Sequence, residues 1–186
     1  MNILLDCGTN FGQGLNKLNE KYNFLNNKDW KIHCFEPNPD IATQDIRNLS
    51  AENITFHRKA VWVREEQLEF RQQNIGGSGS RLSNVEKIWN PNVLTKYTKV
   101  DAIDFSKFLL KFKEFNVVVK LDIEGAEYKV LRHIIDTGAI KVISELYCEW
   151  HERCFRKDRK ETREITNPLI GEMAKSNPKM KIYNWD

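Results

Sequence analysis

Three carboxylates, Asp122, Glu124 and Glu127, crowd around Gly125 directly after the apolar run Val117-Val118-Val119. A carboxylate is costly to desolvate, so acids placed where a buried strand ends serve a ligand, a cation or a proton rather than packing. Two more acids hold the same position on other apolar runs. Asp6 closes Ile3-Leu4-Leu5 and precedes the loop Gly8-Thr9-Asn10-Phe11-Gly12-Gln13-Gly14, and Glu36 closes the run 31–36, which Pro37 and Pro39 stop. Acids so placed can hold an ammonium group, bind a pair of hydroxyls or accept a proton.

The elements that must carry them follow from patterning. Strands are expected over 2–6, 31–36, 54–63, 67–72, 97–101, 116–123, 140–147 and 180–185. Helices are expected from the glycine loop to Tyr22, over 40–49 with Asp40 as cap, over 104–113, from Gly125 to Asp136 with Gly138 closing it, and over 161–175 despite Pro168. The stretch 74–80 reads as a glycine-rich loop and 81–96 as an irregular excursion. Alternating strands and helices mean βαβ units, an α/β fold with a mostly parallel central sheet and helices on both faces. In such a sheet the chemistry sits at the carboxyl ends of the strands.

Composition narrows the function classes. The 186 residues suffice for one domain over 1–186 with its own core, and 40% hydrophobic with 30% charged residues is ordinary for a soluble globular protein. A net charge of +3 gives no footprint for nucleic acid, and no apolar stretch is long enough for a membrane span. The N-terminus lacks the regions of a signal peptide. Two of the four cysteines, Cys7, Cys34, Cys148 and Cys154, fall in strand-like apolar runs, which favours reduced thiols and a cytoplasmic setting.

The loop after Asp6 has the spacing G-x-x-x-G-x-G. A dinucleotide fingerprint needs G-x-G-x-x-G and a P-loop needs Gly-Lys-Ser/Thr, so the loop is not built for a pyrophosphate. An acid before it repels phosphate and suits an ammonium. An acid at the end of the second strand is the usual partner of two ribose hydroxyls. Asp6 and Glu36, in that order, point to S-adenosylmethionine, although each taken alone reads equally well as a cap.

Three motifs carry a family resemblance. DCGTNFGQG, CFEPNP and KLDIEGAEYKVL resemble, in that order, motifs of FkbM-type S-adenosylmethionine-dependent methyltransferases, and the chain resembles that family from about Asn2 to about His151. The resemblance implies a Rossmann-like methyltransferase sheet and transfer to oxygen, often on sugars. It implies that Asp6, Gly8, Thr9, Asn10 and Gly12 line the methionine end of the cofactor. Glu36 and Pro37 then hold the ribose, Ala60 and Val61 lie near the adenine, and Asp122 and Glu124 face the methyl group. Glu145 occupies the place of an acid on the next strand. The first strand opens at residue 2, and one strand-like segment follows the last long helix where the full fold has two. On this reading the chain is a minimal version or a domain excised from a longer polypeptide.

For in-line methyl transfer the protein supplies alignment and a proton acceptor. Asp122 is the first candidate for the base, His151 in Cys148-Glu149-Trp150-His151 the second, and Glu145 a further acid of the catalytic set; His33, His57 and His133 are read as structural. Asp122, Glu124 and Glu145 are the alternative set for an oxygen-ligated divalent metal, which is not favoured, because Glu124 and Glu127 also suit salt bridges or a helix cap. Cys148-x-x-His151-x-x-Cys154 offers three zinc ligands where a structural site wants four, and is set aside. The mixed-sign run 153–164 reads as a solvated helix face or as a contact for an acidic acceptor. Tyr147, Trp150 and Phe155 suit either a sugar ring or the core, and 76–96 reads as a lid or a plain loop.

The leading expectation is an O-methyltransferase whose partner is a small-molecule or glycan acceptor. Rivals are RNA ribose methylation, which wants a basic channel, a nicotinamide-dependent oxidoreductase, which wants another glycine spacing, and a non-catalytic nucleotide-binding module of the same fold.

Overall fold

Ile3-Leu4-Leu5 and Val117-Val118-Val119 are wholly buried, as a parallel strand covered on both faces requires. They lie side by side in the computed structural model, which describes residues 1–41, 51–73, 80–83, 95–155 and 163–185. There β1 (Asn2–Cys7) pairs in parallel with β8 (Asn116–Leu121), and Asp6 stands opposite Lys120. On the other side of β1 lie β2 (Trp30–Phe35) and β3 (Ile54–His57); beyond β8 lie β9 (Ile143–Cys148) and β10 (Lys181–Asn184). All six strands run parallel in the order β10-β9-β8-β1-β2-β3. The protein is thus an α/β fold with a Rossmann-like, methyltransferase-type sheet. The chain builds outward from β1 in one direction and from β8 in the other, so the boundary between them is the topological switch point.

Side chains alternate across each strand and feed two cores. One face, with Leu4, Ile32 and Val118, packs on Leu15 and Leu18 of α1 (Gln13–Tyr22). The other, with Ile3, Leu5, Val117 and Val119, packs under α2 (Phe105–Leu109), α3 (Glu127–Asp136) and α4 (Thr166–Ser176). Asp104 caps α2 by accepting from Lys107 N–H, and Gly138 ends α3 with φ 74°.

The structure departs from sequence expectation in four places. The single strand over 54–63 is two: it breaks at Arg58-Lys59, and β4 (Ala60–Trp62) leaves for a second sheet of four strands. That sheet has the order β4-β7-β5-β6, with β5 (Glu66–Gln73), β6 (Arg81–Leu82) and β7 (Thr95–Asp104), and its buried face adds Leu68, Phe70, Val100 and Ala102 to the larger core. The helix over 104–113 tightens after Leu109 into a 3₁₀ turn. The strand expected from 140 starts later, because Ala139–Val142 form a 3₁₀ helix first. The last long helix begins at Thr166; Pro168 falls in its first turn, where the N–H has no partner to lose, so the helix is not split. The helix over 40–49 and the loop over 74–80 lie outside the described residues except at their ends, as do most of the excursion to residue 96 and of the mixed-sign run over 153–164. Among the described residues no helix is long and apolar enough to cross a membrane. Cys7, Cys34 and Cys148 are free and buried.

His33 on β2 and His57 on β3 touch, ring nitrogen to ring nitrogen, at 3.0 Å, among Phe35, Phe108 and Phe112. Burial, the facing imidazole and Lys31 and Lys111 push His33 down to about 4, and burial with Lys59 and Lys111 lowers His57. A histidine whose folded pKa is depressed costs stability once the unfolded chain takes up its proton. Stability contributed by the neutral pair is therefore present above about pH 6.5 and is lost as the pH falls toward 4. Thermal melts across that window should show a falling midpoint, roughly 2–4 °C for each kcal/mol lost, and His33→Phe should flatten the slope; an unchanged slope refutes the assignment.

Candidate functional site

The acids found in the sequence stand at one end of the sheet because their strands end in register. Asp122 continues β8 by donating its N–H to Cys7 O at 3.1 Å, and Glu149 continues β9 by donating to Leu121 O at 3.0 Å. Asp6, Glu36, Asp122 and Glu149 thus close four adjacent strands.

The glycine loop folds over this end. Gly8 has φ 82°, and a Cβ there would lie 1.7 Å from Asp122 O, so no other residue fits. The N–H groups of Gly8 and Thr9 both donate to Phe35 O, and Thr9 Oγ1 donates to Asp6 O at 3.0 Å. Asn10 takes φ 50° and donates its N–H to Glu36 Oε2 at 3.0 Å, while Glu36 Oε1 accepts from Asn38 N–H at 2.8 Å. Burial pushes the Glu36 carboxyl up, and these two backbone donors pull against it. Gly12, with φ 87°, leads into α1.

Lys120, after the apolar run Val117-Val118-Val119, is one residue that sequence reasoning missed. Its ammonium lies 3.3 Å from Asp6 Oδ1 and 3.3 Å from Asp122 Oδ2, and it donates to Gly8 O at 2.8 Å. Burial works against its proton, yet Asp6 and Asp122 more than offset that and hold it charged well above the usual lysine range. The chain itself therefore supplies the ammonium that Asp6 invites. A Cβ on Gly14 would come within 2.9 Å of Lys120 Cε, so the last glycine of the loop makes room for the lysine stem. The signal was present in the sequence: a lysine inside a buried strand needs carboxylates, and Asp6 and Asp122 are at hand.

The turn after Asp122 puts Glu124 and Gly125 in the left-handed region, φ 57° and 102°. Glu127, fully buried, holds it by accepting from Ile123 N–H at 2.7 Å and Gly125 N–H at 2.8 Å. Glu127 Oε1 also lies 3.0 Å from His151 Nδ1, and His151 Nε2 faces Glu149 at 3.4 Å and Glu124 at 3.8 Å. Burial opposes the proton on His151, but Glu127, Glu124 and Glu149 push it up to about 9. The three acids favour its charged form, and the second candidate for the base is thus placed among groups that compete for its proton. Glu149, unremarked in the sequence, is raised to about 7 by burial and by the neighbouring Asp122 charge, against the pull of His151. The rule that singled out Asp6, Glu36 and Asp122, an acid just past a buried strand, finds it too.

Three expected residues stand apart. Glu145 pairs in register with Val118, four residues before Asp122, or about 13 Å at the strand rise. It accepts from Tyr22 Oη at 2.9 Å and faces Lys21. Its catalytic role and the Asp122–Glu124–Glu145 metal set are not assembled. Ala60 and Val61 belong to the second sheet, each 3% exposed in the larger core, so their side chains do not line a cleft. Tyr147 and Trp150 are buried as well: Tyr147 stacks on Tyr183, and Trp150 Nε1 donates to Asn184 Oδ1. Neither offers a face to a sugar ring. Cys148 and His151 do not form a zinc pair: Cys148 is buried under Glu149, and His151 is taken up by acids.

Asp122, Glu149 and His151 each bring a ligand atom within 4.8 Å of the others. With His151 Nδ1 engaged by Glu127 and only two carboxylates beside it, this is a thin set for a divalent ion, and no resident metal is assigned to it. Asp6 Oδ2 and Asn10 Oδ1, beside the glycine loop, are buried acceptors without a hydrogen bond, the kind of group that N–H donors fill.

A sequence model of the methyltransferase FkbM domain matches residues 6–174, from Asp6 through every residue of this cluster. A search of curated proteins found no match.

Lys120→Met should strand Asp6, which is wholly buried, without its counter-charge. The expected loss is about 3–5 kcal/mol in urea denaturation, partly recovered by Asp6→Asn in the same chain. A loss below about 1 kcal/mol, the range of exposed pairs, refutes the buried bridge.

Proposed function

The chain belongs to the FkbM methyltransferase family, and from that footing we propose that it moves a methyl group from S-adenosylmethionine to a sugar hydroxyl, in a glycan or a glycosylated metabolite. The observation that carries the reading is Glu36, held at the end of β2 against the glycine loop by Asn10 and Asn38. A carboxylate has about four acceptor positions, and two backbone donors leave two for a pair of ribose hydroxyls. The unfilled acceptors on Asp6 and Asn10 suit the amino group at the cofactor's other end. When bound, S-adenosylmethionine supplies an electrophilic methyl carbon on a positively charged sulfur.

The protein's own part is alignment and proton removal. Lys120 holds the ends of β1 and β8 together, Glu127 holds the turn that carries Asp122, and the acids at the mouth accept the proton that the hydroxyl gives up. Three buried free thiols support a reducing, intracellular setting. The donor chemistry of the site supports transfer without a metal.

Calorimetry should show S-adenosylhomocysteine binding and NAD not binding. Glu36→Ala should weaken that binding about tenfold or more, the 1.4 kcal/mol scale of a lost charge-assisted hydrogen bond. Asp122→Ala should leave binding in place and lower turnover ~10²–10⁴-fold. Mass spectrometry of incubated glycans should show the gain of one methyl, in EDTA as well as without it. Preference for NAD would overturn the donor, and transfer that EDTA abolishes and magnesium restores would overturn the metal-free step.

A further inference from the structure

Four carboxylates meet at the mouth of the sheet, and their surroundings divide the work among them. Glu127 is fully buried and committed to two backbone N–H groups and to His151. Glu124 sits in the left-handed turn with its carboxylate toward His151 Nε2. Asp122 turns Oδ2 inward to Lys120. Glu149 stands on the end of β9 beside Asp122, and its side chain is 30% exposed, against 25% for Asp122 and 24% for Glu124. It is the most exposed of the four side chains, open to an acceptor hydroxyl from solvent.

We propose that Glu149 is the catalytic residue that takes the proton from the acceptor hydroxyl, with His151 and Asp122 as its positioning residues. This rests on the reading of the chain as a methyltransferase acting on oxygen. The hydroxyl O–H bond breaks and its proton goes to a Glu149 oxygen. The electron pair left on oxygen forms the bond to the methyl carbon of a sulfonium donor. The carbon–sulfur bond breaks, its pair returns to sulfur, and the positive sulfonium becomes a neutral thioether. Glu149 then passes the proton to water, which its exposure allows.

The surroundings suit that task. His151, locked on one nitrogen by Glu127, presents its other N–H to Glu149 Oε1 and fixes which way the carboxylate faces. Partial burial, and then the like charge of Asp122 and Glu124, raise the proton affinity of a carboxylate that acetic-acid-like chemistry would leave too weak a base. Glu127, by contrast, has no room to meet a substrate.

The test uses the full chain, S-adenosylmethionine and the glycan that gains a methyl. Glu149→Gln should lower kcat ~10²–10⁴-fold, while KM for the acceptor, the affinity for S-adenosylhomocysteine and the melting temperature stay near wild type. Glu149→Asp should recover part of kcat, and it carries the test alone if the glutamine variant does not fold. Full kcat in Glu149→Gln overturns the proposal, as does a loss matched by an equal loss of S-adenosylhomocysteine affinity, which would mark a structural role. Wild-type protein that binds S-adenosylhomocysteine but methylates no hydroxyl sinks the underlying reading, and this proposal with it; transfer that survives Glu149→Gln sinks this proposal alone.

Discussion

A single buried ammonium ties the working end of this protein together. Lys120 bridges Asp6 at the end of β1 and Asp122 just past the end of β8, and it reaches the carbonyl of Gly8 in the loop between them. Removing a charge from water costs several kcal/mol per ion unless good partners replace the water, so the three contacts have to form together. That condition sets much else. It places the mouths of the two strands on either side of the topological switch point at one level. It leaves no room for a side chain at Gly8 or Gly14, because Asp122 O and the lysine stem fill the space.

Glu127 is the second fastening, and it has a chemical consequence. By accepting from Ile123 and Gly125 it stabilises a turn with a non-glycine residue, Glu124, at positive φ, a conformation that costs about 1–3 kcal/mol without such support. The same carboxylate holds His151. Three acids around this histidine favour its charged form.

The second sheet sets where the outer edge of the central one stops. Had residues 54–63 continued as one strand, Ala60 and Val61 would extend the central sheet. Instead the chain turns at Arg58-Lys59, and β4 joins β7, burying Trp62 in the larger core. The charged pair Arg58-Lys59 interrupts the apolar pattern there, but nothing local marks which sheet the second half joins. What decides it is the partner offered by β7 some forty residues later, a tertiary fact.

From sequence alone, the apolar runs, the acids that end them and the glycine spacing determined the α/β class, the membership motifs and the positions of Asp6, Glu36 and Asp122. These are local signals: burial, turn geometry and capping act over a few residues. Which acids share a site was decided only by the fold. Glu145 misses it because a 3₁₀ turn at Ala139–Val142 delays β9 and leaves that residue level with Val118. Glu149 gains it because the strand ends one residue before it. Lys120 and Asp6 meet across more than a hundred residues of chain, through the register of two parallel strands, and pattern along a sequence holds no record of register between distant segments.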